Sequence, residues 1–174
     1  MNTKKNKIGI LGGSFDPPHK GHLIISKEAA RRFKLKKIFW AITKKNPFKK
    51  YSATNLFTRI KYCKKIIKNT NFIKVKFYED IIKSNKTIDL INYLKKNRNI
   101  KVYFLMGADN LINFHKWHKS KLISKKSNII VFDRHGFKKN SLKSKTFMKL
   151  GKRIITFVEF KKVNISSSQL RKIW

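Results

Sequence analysis

The sequence is short of cysteine, arginine and acid, and it contains no long apolar run. Cys63 is its single cysteine, which excludes an internal disulfide and a cysteine-based zinc site. It falls on an apolar helical stripe, where a buried, inert thiol is expected. Behind the basic N-terminus, MNTKKNK, the apolar segment is brief and meets glycines and a proline pair. Neither a signal peptide nor a membrane span is expected there, so the chain reads as cytoplasmic with no membrane partner.

Only 8 Asp and Glu stand against 44 Lys and Arg in 174 residues, a formal net charge of +36. A nucleic-acid or anionic-membrane partner is the first thought. Arginine is scarce, however: seven of the 44 are Arg, leaving 37 Lys. Arg is the better fork for phosphates and base edges, so a dedicated nucleic-acid reader would use more of it. The lysines also follow nearly every apolar run instead of forming one tail. That distribution describes a solvated surface whose field favours anionic small molecules such as nucleotides, with no specific nucleic acid expected.

What is present is enough for a core. The chain is 41% apolar with 14 Phe, which argues against disorder despite 30% charged residues. Apolar and β-branched runs predict strands at residues 7–11, 37–43, 72–78, 101–106, 128–132 and 153–160. Helical spacing predicts helices at 21–33, at 54–68 with Leu56, Phe57, Ile60, Cys63 and Ile67 on one stripe, and at 87–97 with Thr87 as N-cap. A short helical stretch follows Gly107-Ala108-Asp109, and a last helix is expected from Ser166.

This alternation predicts an α/β, Rossmann-like, doubly wound sheet, mainly parallel, with helices on both faces. With no repeat or composition break, residues 1–174 read as one domain. Ligands of such sheets bind beyond the carboxyl ends of the strands. The loops after strands one, four and five should therefore converge on one rim.

The first of those loops is GGSFDPPHKGHLI, residues 12–24. Gly12 and Gly13 permit close backbone approach or a turn. Asp16-Pro17-Pro18 is a stiff corner, and the helix that starts at Gly21-His22 offers free N–H groups and a positive dipole end. His19 and His22 sit at that entrance and can donate to phosphate oxygens. A phosphate site is the expected reading over a turn with two solvated histidines. Neither the G-x-G-x-x-G fingerprint nor a Walker loop is present. A metal site is not expected, since only Asp16 could join the two histidines.

Gly13-x-Phe15-x-Pro17-x-His19-x-Gly21-His22 matches the G-x-F-x-P-x-H-x-G-H signature of the nucleotidyltransferase superfamily. Ile165-Ser166-Ser167-Ser168-Gln169-Leu170-Arg171 is similar to its second signature, I-S-S-T-x-x-R, with Ser168 for Thr. Residues 104–117, FLMGADNLINFHKW, resemble the F-x-x-G-A-D-x-L…F…W segment of bacterial nicotinate-nucleotide adenylyltransferases. Asn46-Pro47-Phe48-Lys49 is similar to that family's loop after strand two. Lys86-Thr87-Ile88-Asp89 is similar to its Y-T-x-D-T helix start, with Lys for Tyr and Leu90 for the second Thr. Asp133-Arg134-His135-Gly136 is similar to its R-P-G turn, with His for Pro.

The resemblance implies transfer of the adenylyl group of ATP to nicotinate mononucleotide, with Mg²⁺ bridging the phosphates. It implies that His19, His22 and Arg171 are catalytic, with Ser166, Ser167 and Arg171 at the β/γ end of the triphosphate. Gly12, Gly13, Ser14, Phe15, Gly21, Gly107 and Asp109 complete the implied ATP site, Asp109 accepting from ribose hydroxyls. A helix N-cap is the competing reading of Asp109, but the flanking Gly-Ala and the position after strand four favour a ligand role, while Trp117 by itself reads as core. The resemblance assigns Trp117 to stack on the pyridine ring, Thr87 and His118 to meet the nicotinate carboxylate, and Lys49 and Arg134 to the mononucleotide. Sibling enzymes using nicotinamide mononucleotide or pantetheine phosphate are the near alternatives, and a basic nucleic-acid-binding protein the distant one. A homo-oligomer is left open.

Overall fold

A computed structural model describes residues 5–44, 54–96, 99–133 and 137–159. Among these residues six strands form one sheet: β1 (Asn6–Gly13), β2 (Lys37–Ile42), β3 (Ile73–Lys76), β4 (Ile100–Gly107), β5 (Asn128–Phe132) and β6 (Ile155–Val158). Their order is β3-β2-β1-β4-β5-β6, and every neighbouring pair is parallel. This is the Rossmann-like doubly wound sheet that the alternation predicts.

Helices cover both faces. They are α1 (Lys20–Phe33), α2 (Leu56–Ile66), α3 (Glu79–Ile82), α4 (Thr87–Leu94), α5 (Ala108–Asn113), α6 (Ser120–Lys126), α7 (Lys138–Leu142) and α8 (Lys145–Ile154). The strands alternate with period two between two cores. Ile8, Ile10, Val102, Phe104, Ile129 and Val131 pack on one face with Ile88 and Ile91 of α4, Leu111 of α5 and Ile123 of α6. Leu11, Ile38, Trp40, Leu105, Ile130 and Phe132 pack on the other with Ala29 of α1 and Cys63 of α2. Burial on both faces explains why the strands read as near-continuous apolar runs.

Gly9 in β1 marks a tight contact between layers. A Cβ there would lie 3.0 Å from both Ile38 Cγ1 and Leu35 Cδ1. No helix among the described residues is long and apolar enough to cross a membrane.

Several expectations are corrected. β3 ends at Lys76, because Tyr78 instead caps the unforeseen α3. β6 starts at Ile155, because Arg153 and Ile154 close α8. That helix is itself broken at Gly151, whose φ is 65°, so no continuous helical period announces it. On α2, Phe57 is 78% exposed and Arg59 is buried. Phe57 lies about 100° around the helix from Leu56, off the Leu56–Ile60–Cys63 stripe. Lys86, not Thr87, is the N-cap of α4, and no side chain caps it there. Ser84 bridges the turn instead, donating to Asp89 Oδ2 at 2.7 Å and accepting from Lys86 N at 3.1 Å. The helix expected from Ser166 lies outside the described residues.

Candidate active site

Strand order reverses between β1 and β4, so their carboxyl ends part and leave a crevice between the connections that follow them. Gly13 ends β1 and Gly107 ends β4. The segment 14–19 leaves the first and enters α1, while α5 begins directly after the second. The two glycine-bearing stretches singled out in the sequence thus flank the crevice.

His19 is the N-cap of α1, with extended backbone at φ −147°, ψ 169°. Its Nδ1 accepts the N–H of Gly21 at 3.1 Å, and His22 Nδ1 accepts the N–H of His19 at 3.1 Å. The two side chains form a reciprocal capping box, with histidine in both of its positions. A nitrogen that accepts a backbone N–H carries no proton, so each neutral ring holds its proton on Nε2. Both imidazoles are therefore set as Nε2–H donors at the positive end of α1. Their centroids lie 3.9 Å apart, with planes inclined by 39°.

Aromatic packing supports His22. Phe15, in left-handed backbone at φ 49°, stacks on Trp40 of β2 at 5.0 Å and leans on His22 at 4.7 Å. A left-handed non-glycine residue costs about 1–2 kcal/mol; burial of the Phe15 ring, 2% exposed, offsets it. Trp40 Nε1 donates to Ser26 Oγ, which donates to the carbonyl of His22, both at 2.8 Å. The fully buried Trp40 therefore positions Phe15 directly and the first turn of α1 through Ser26.

A shallow cleft opens beside the carboxyl end of β1. Gly12, Thr43, Glu79, Thr87 and Phe104 are among its walls. Gly12 is exposed, and a Cβ on it would make only ordinary contact, 3.7 Å from Phe104 Cζ. The fold itself does not demand glycine there. Thr87 is the first residue of α4, so its N–H lies ahead of that helix's own bonding ladder. Burial raises the carboxyl of Glu79 above its usual range, opposed by the N–H of Lys44, which donates to Oε1 at 3.2 Å.

The other predicted residues divide. Asp109 is in the first turn of α5, whose N-cap is Gly107, so it is not the cap. Its Oδ1 is buried. Trp117 is half-buried and packs edge-on against Phe104 at 5.9 Å and tilted on Phe114 at 5.4 Å. It stands behind the wall that Phe104 supplies to the cleft. His118 is exposed just beyond it. Lys49, Arg134, Ser166, Ser167 and Arg171 lie outside the described residues.

Sequence reasoning missed Arg59 and Trp40. Arg59 is 1% exposed and donates to four main-chain carbonyls around the site: Ser14 (2.7 Å), Thr43 (2.8 Å), Lys44 (2.9 Å) and Thr54 (3.2 Å). Burial pushes its guanidinium below the usual value, with Asp16 foremost among the opposing charges. The available signal was an arginine three residues after Leu56 and four before Cys63, on the stripe that faces the core.

Residues 10–173 match the cytidylyltransferase-like family. A protein of Pelagibacter ubique, described as a probable nicotinate-nucleotide adenylyltransferase, is 65% identical over 99% of this chain and 96% of its own. One of the same description from Clostridium perfringens is 33% identical over 95% of this chain and 85% of its own. Among solved structures, the fold is similar to Plasmodium falciparum nicotinic acid mononucleotide adenylyltransferase complexed with NaAD. The TM-score is 0.77 at 24% identity, covering 96% of this chain and 83% of that one. The chain belongs to the cytidylyltransferase-like family and, within it, to the nicotinate-nucleotide adenylyltransferases.

Proposed function

We propose that the protein transfers the adenylyl group of ATP to nicotinate mononucleotide, releasing pyrophosphate and forming nicotinate adenine dinucleotide. The observation that carries the site is the His19–His22 pair, fixed as two Nε2–H donors at the start of α1 beside the β1–β4 crevice. The 65% identity to a protein described by that activity supports the choice of substrates.

In the reaction a phosphate oxygen of the mononucleotide forms a bond to the α-phosphorus of ATP. The bond from that phosphorus to the bridging oxygen breaks, and pyrophosphate leaves with the electron pair. Such a transfer needs alignment and neutralisation of charge more than a protein nucleophile. His19 and His22 donate to the triphosphate oxygens on which charge grows. Gly12 lets the nucleotide approach the main chain, and Asp109 accepts from the ribose. Ser166, Ser167 and Arg171 take the β/γ end by family resemblance, as Lys49, Thr87, Trp117, His118 and Arg134 take the mononucleotide. Among the described residues no cluster of three His, Cys, Asp or Glu could hold a metal. Mg²⁺ suits such a site as part of the substrate, MgATP, because it binds through phosphates with few protein ligands.

The test is pyrophosphate release from MgATP with nicotinate mononucleotide, nicotinamide mononucleotide or pantetheine phosphate as acceptor. Fastest turnover of the nicotinate form is expected. Faster use of either other acceptor overturns the substrate assignment.

A further inference from the structure

Arg59 has no task in the chemistry above and does not line the cleft, yet it is a fully buried cation. Buried charge is costly, and an apolar side chain of similar volume often serves a core as well or better. What distinguishes Arg59 is the set of carbonyls it holds. Ser14 belongs to the donor-nucleotide loop after β1. Thr43 and Lys44 follow β2, and Thr54 precedes α2, so Lys44 and Thr54 flank residues 45–53, which carry Asn46-Pro47 and Lys49. Thr54 is gripped a second time. Asp16 Oδ1, in the donor loop, accepts from its Oγ1 at 2.6 Å and its N–H at 3.2 Å.

We infer that Arg59 is a positioning residue that sets the distance between the two substrates. Its planar fork locks the donor loop and both ends of the acceptor loop to one rigid group on α2, and Asp16 closes the same link from the donor side. This rests on the proposed function, in which those loops carry ATP and the mononucleotide. Each substrate keeps its own contacts when the link loosens. The loss therefore falls on alignment, where a shift of about 1 Å can cost about 10²-fold in rate.

The experiment compares Arg59→Met, Arg59→Lys and Thr54→Val in steady-state kinetics, thermal unfolding and amide hydrogen exchange. Arg59→Met is expected to lower kcat about 10²-fold, with both KM values within about threefold of the parent. Arg59→Lys restores part of kcat, since one ammonium reaches fewer carbonyls. Thr54→Val lowers kcat several-fold with near-parental Tm, and carries the comparison if Arg59→Met does not fold. Exchange should quicken in peptides covering 12–16, 41–44 and 54–58, and stay unchanged in β4 and β5. Parental kcat in Arg59→Met, a rise in KM alone, or exchange that quickens uniformly across the sheet overturns the inference. Absence of turnover by the parent with every mononucleotide refutes the proposed function instead. The exchange pattern then still decides whether Arg59 ties the loops together.

Discussion

Replacing His19 by alanine and by asparagine separates two roles that one ring performs. Nδ1 caps α1 by accepting the Gly21 N–H, and in the proposed function Nε2 carries the proton offered to the triphosphate. Alanine removes both, whereas asparagine keeps a cap acceptor but ends one bond short of Nε2. Loss of an N-cap costs about 1 kcal/mol. Truncating a ring that is 8% exposed and packed against His22 adds a loss of about the same size. For a domain of this length, about 2 kcal/mol lowers Tm by roughly 4–8 °C. His19→Asn should recover about half of that, because asparagine is among the best N-caps. Activity should not recover: removing one donor to developing charge costs about 10²–10³-fold in kcat. Pyrophosphate release and thermal unfolding on the same preparations check both parts. Near-parental turnover by His19→Asn would refute the role of Nε2, and equal Tm for the two variants would refute the cap.

Two further outcomes follow from the same geometry. Gly12→Val should fold with a Tm within about 2 °C of the parent, since a Cβ there meets only Phe104 at ordinary distance. It should still lose most of its affinity for ATP, measured by titration calorimetry, and parental affinity would show that nothing approaches that backbone. Burial pushes the Cys63 thiol up to about 12 from an ordinary 9.0, so the native state holds its proton more tightly than the unfolded chain. Its contribution to stability is therefore complete below about pH 9 and lost as pH rises towards about 12. A chromogenic thiol reagent at pH 8 should find no reactive group until denaturant is added, and prompt stoichiometric labelling of the native protein would contradict this.

β4 and β5 were legible almost to the residue, and β1 and β2 within two, because central parallel strands are apolar on both faces and bounded by polar turns. α1 was legible from its period and the Gly-Pro corner before it. The edge and C-terminal elements were less so. β3 covers four residues at the sheet's margin, and α6 to α8 are short, lysine-rich and, at Gly151, broken. Local composition there carries little period, so tertiary packing decides where those elements begin and stop.

By itself the sequence determined the turn that enters α1. Glycines, a proline corner and two histidines three residues apart dictate a turn into a helix end that suits phosphate, whatever surrounds it. It also determined the sheet class, since strand and helix periods alternate locally. Only the tertiary structure decided which imidazole nitrogen carries the proton of each neutral ring, because backbone N–H groups of the folded turn occupy Nδ1 of both rings. Only it revealed that Trp40, fourteen residues after Ser26, packs edge-on against His22. It likewise brought Ser14, Thr43, Lys44 and Thr54 onto one guanidinium. Hydrogen bonds between distant main-chain carbonyls and a buried side chain leave no periodic trace in a sequence, because carbonyls are the same at every position.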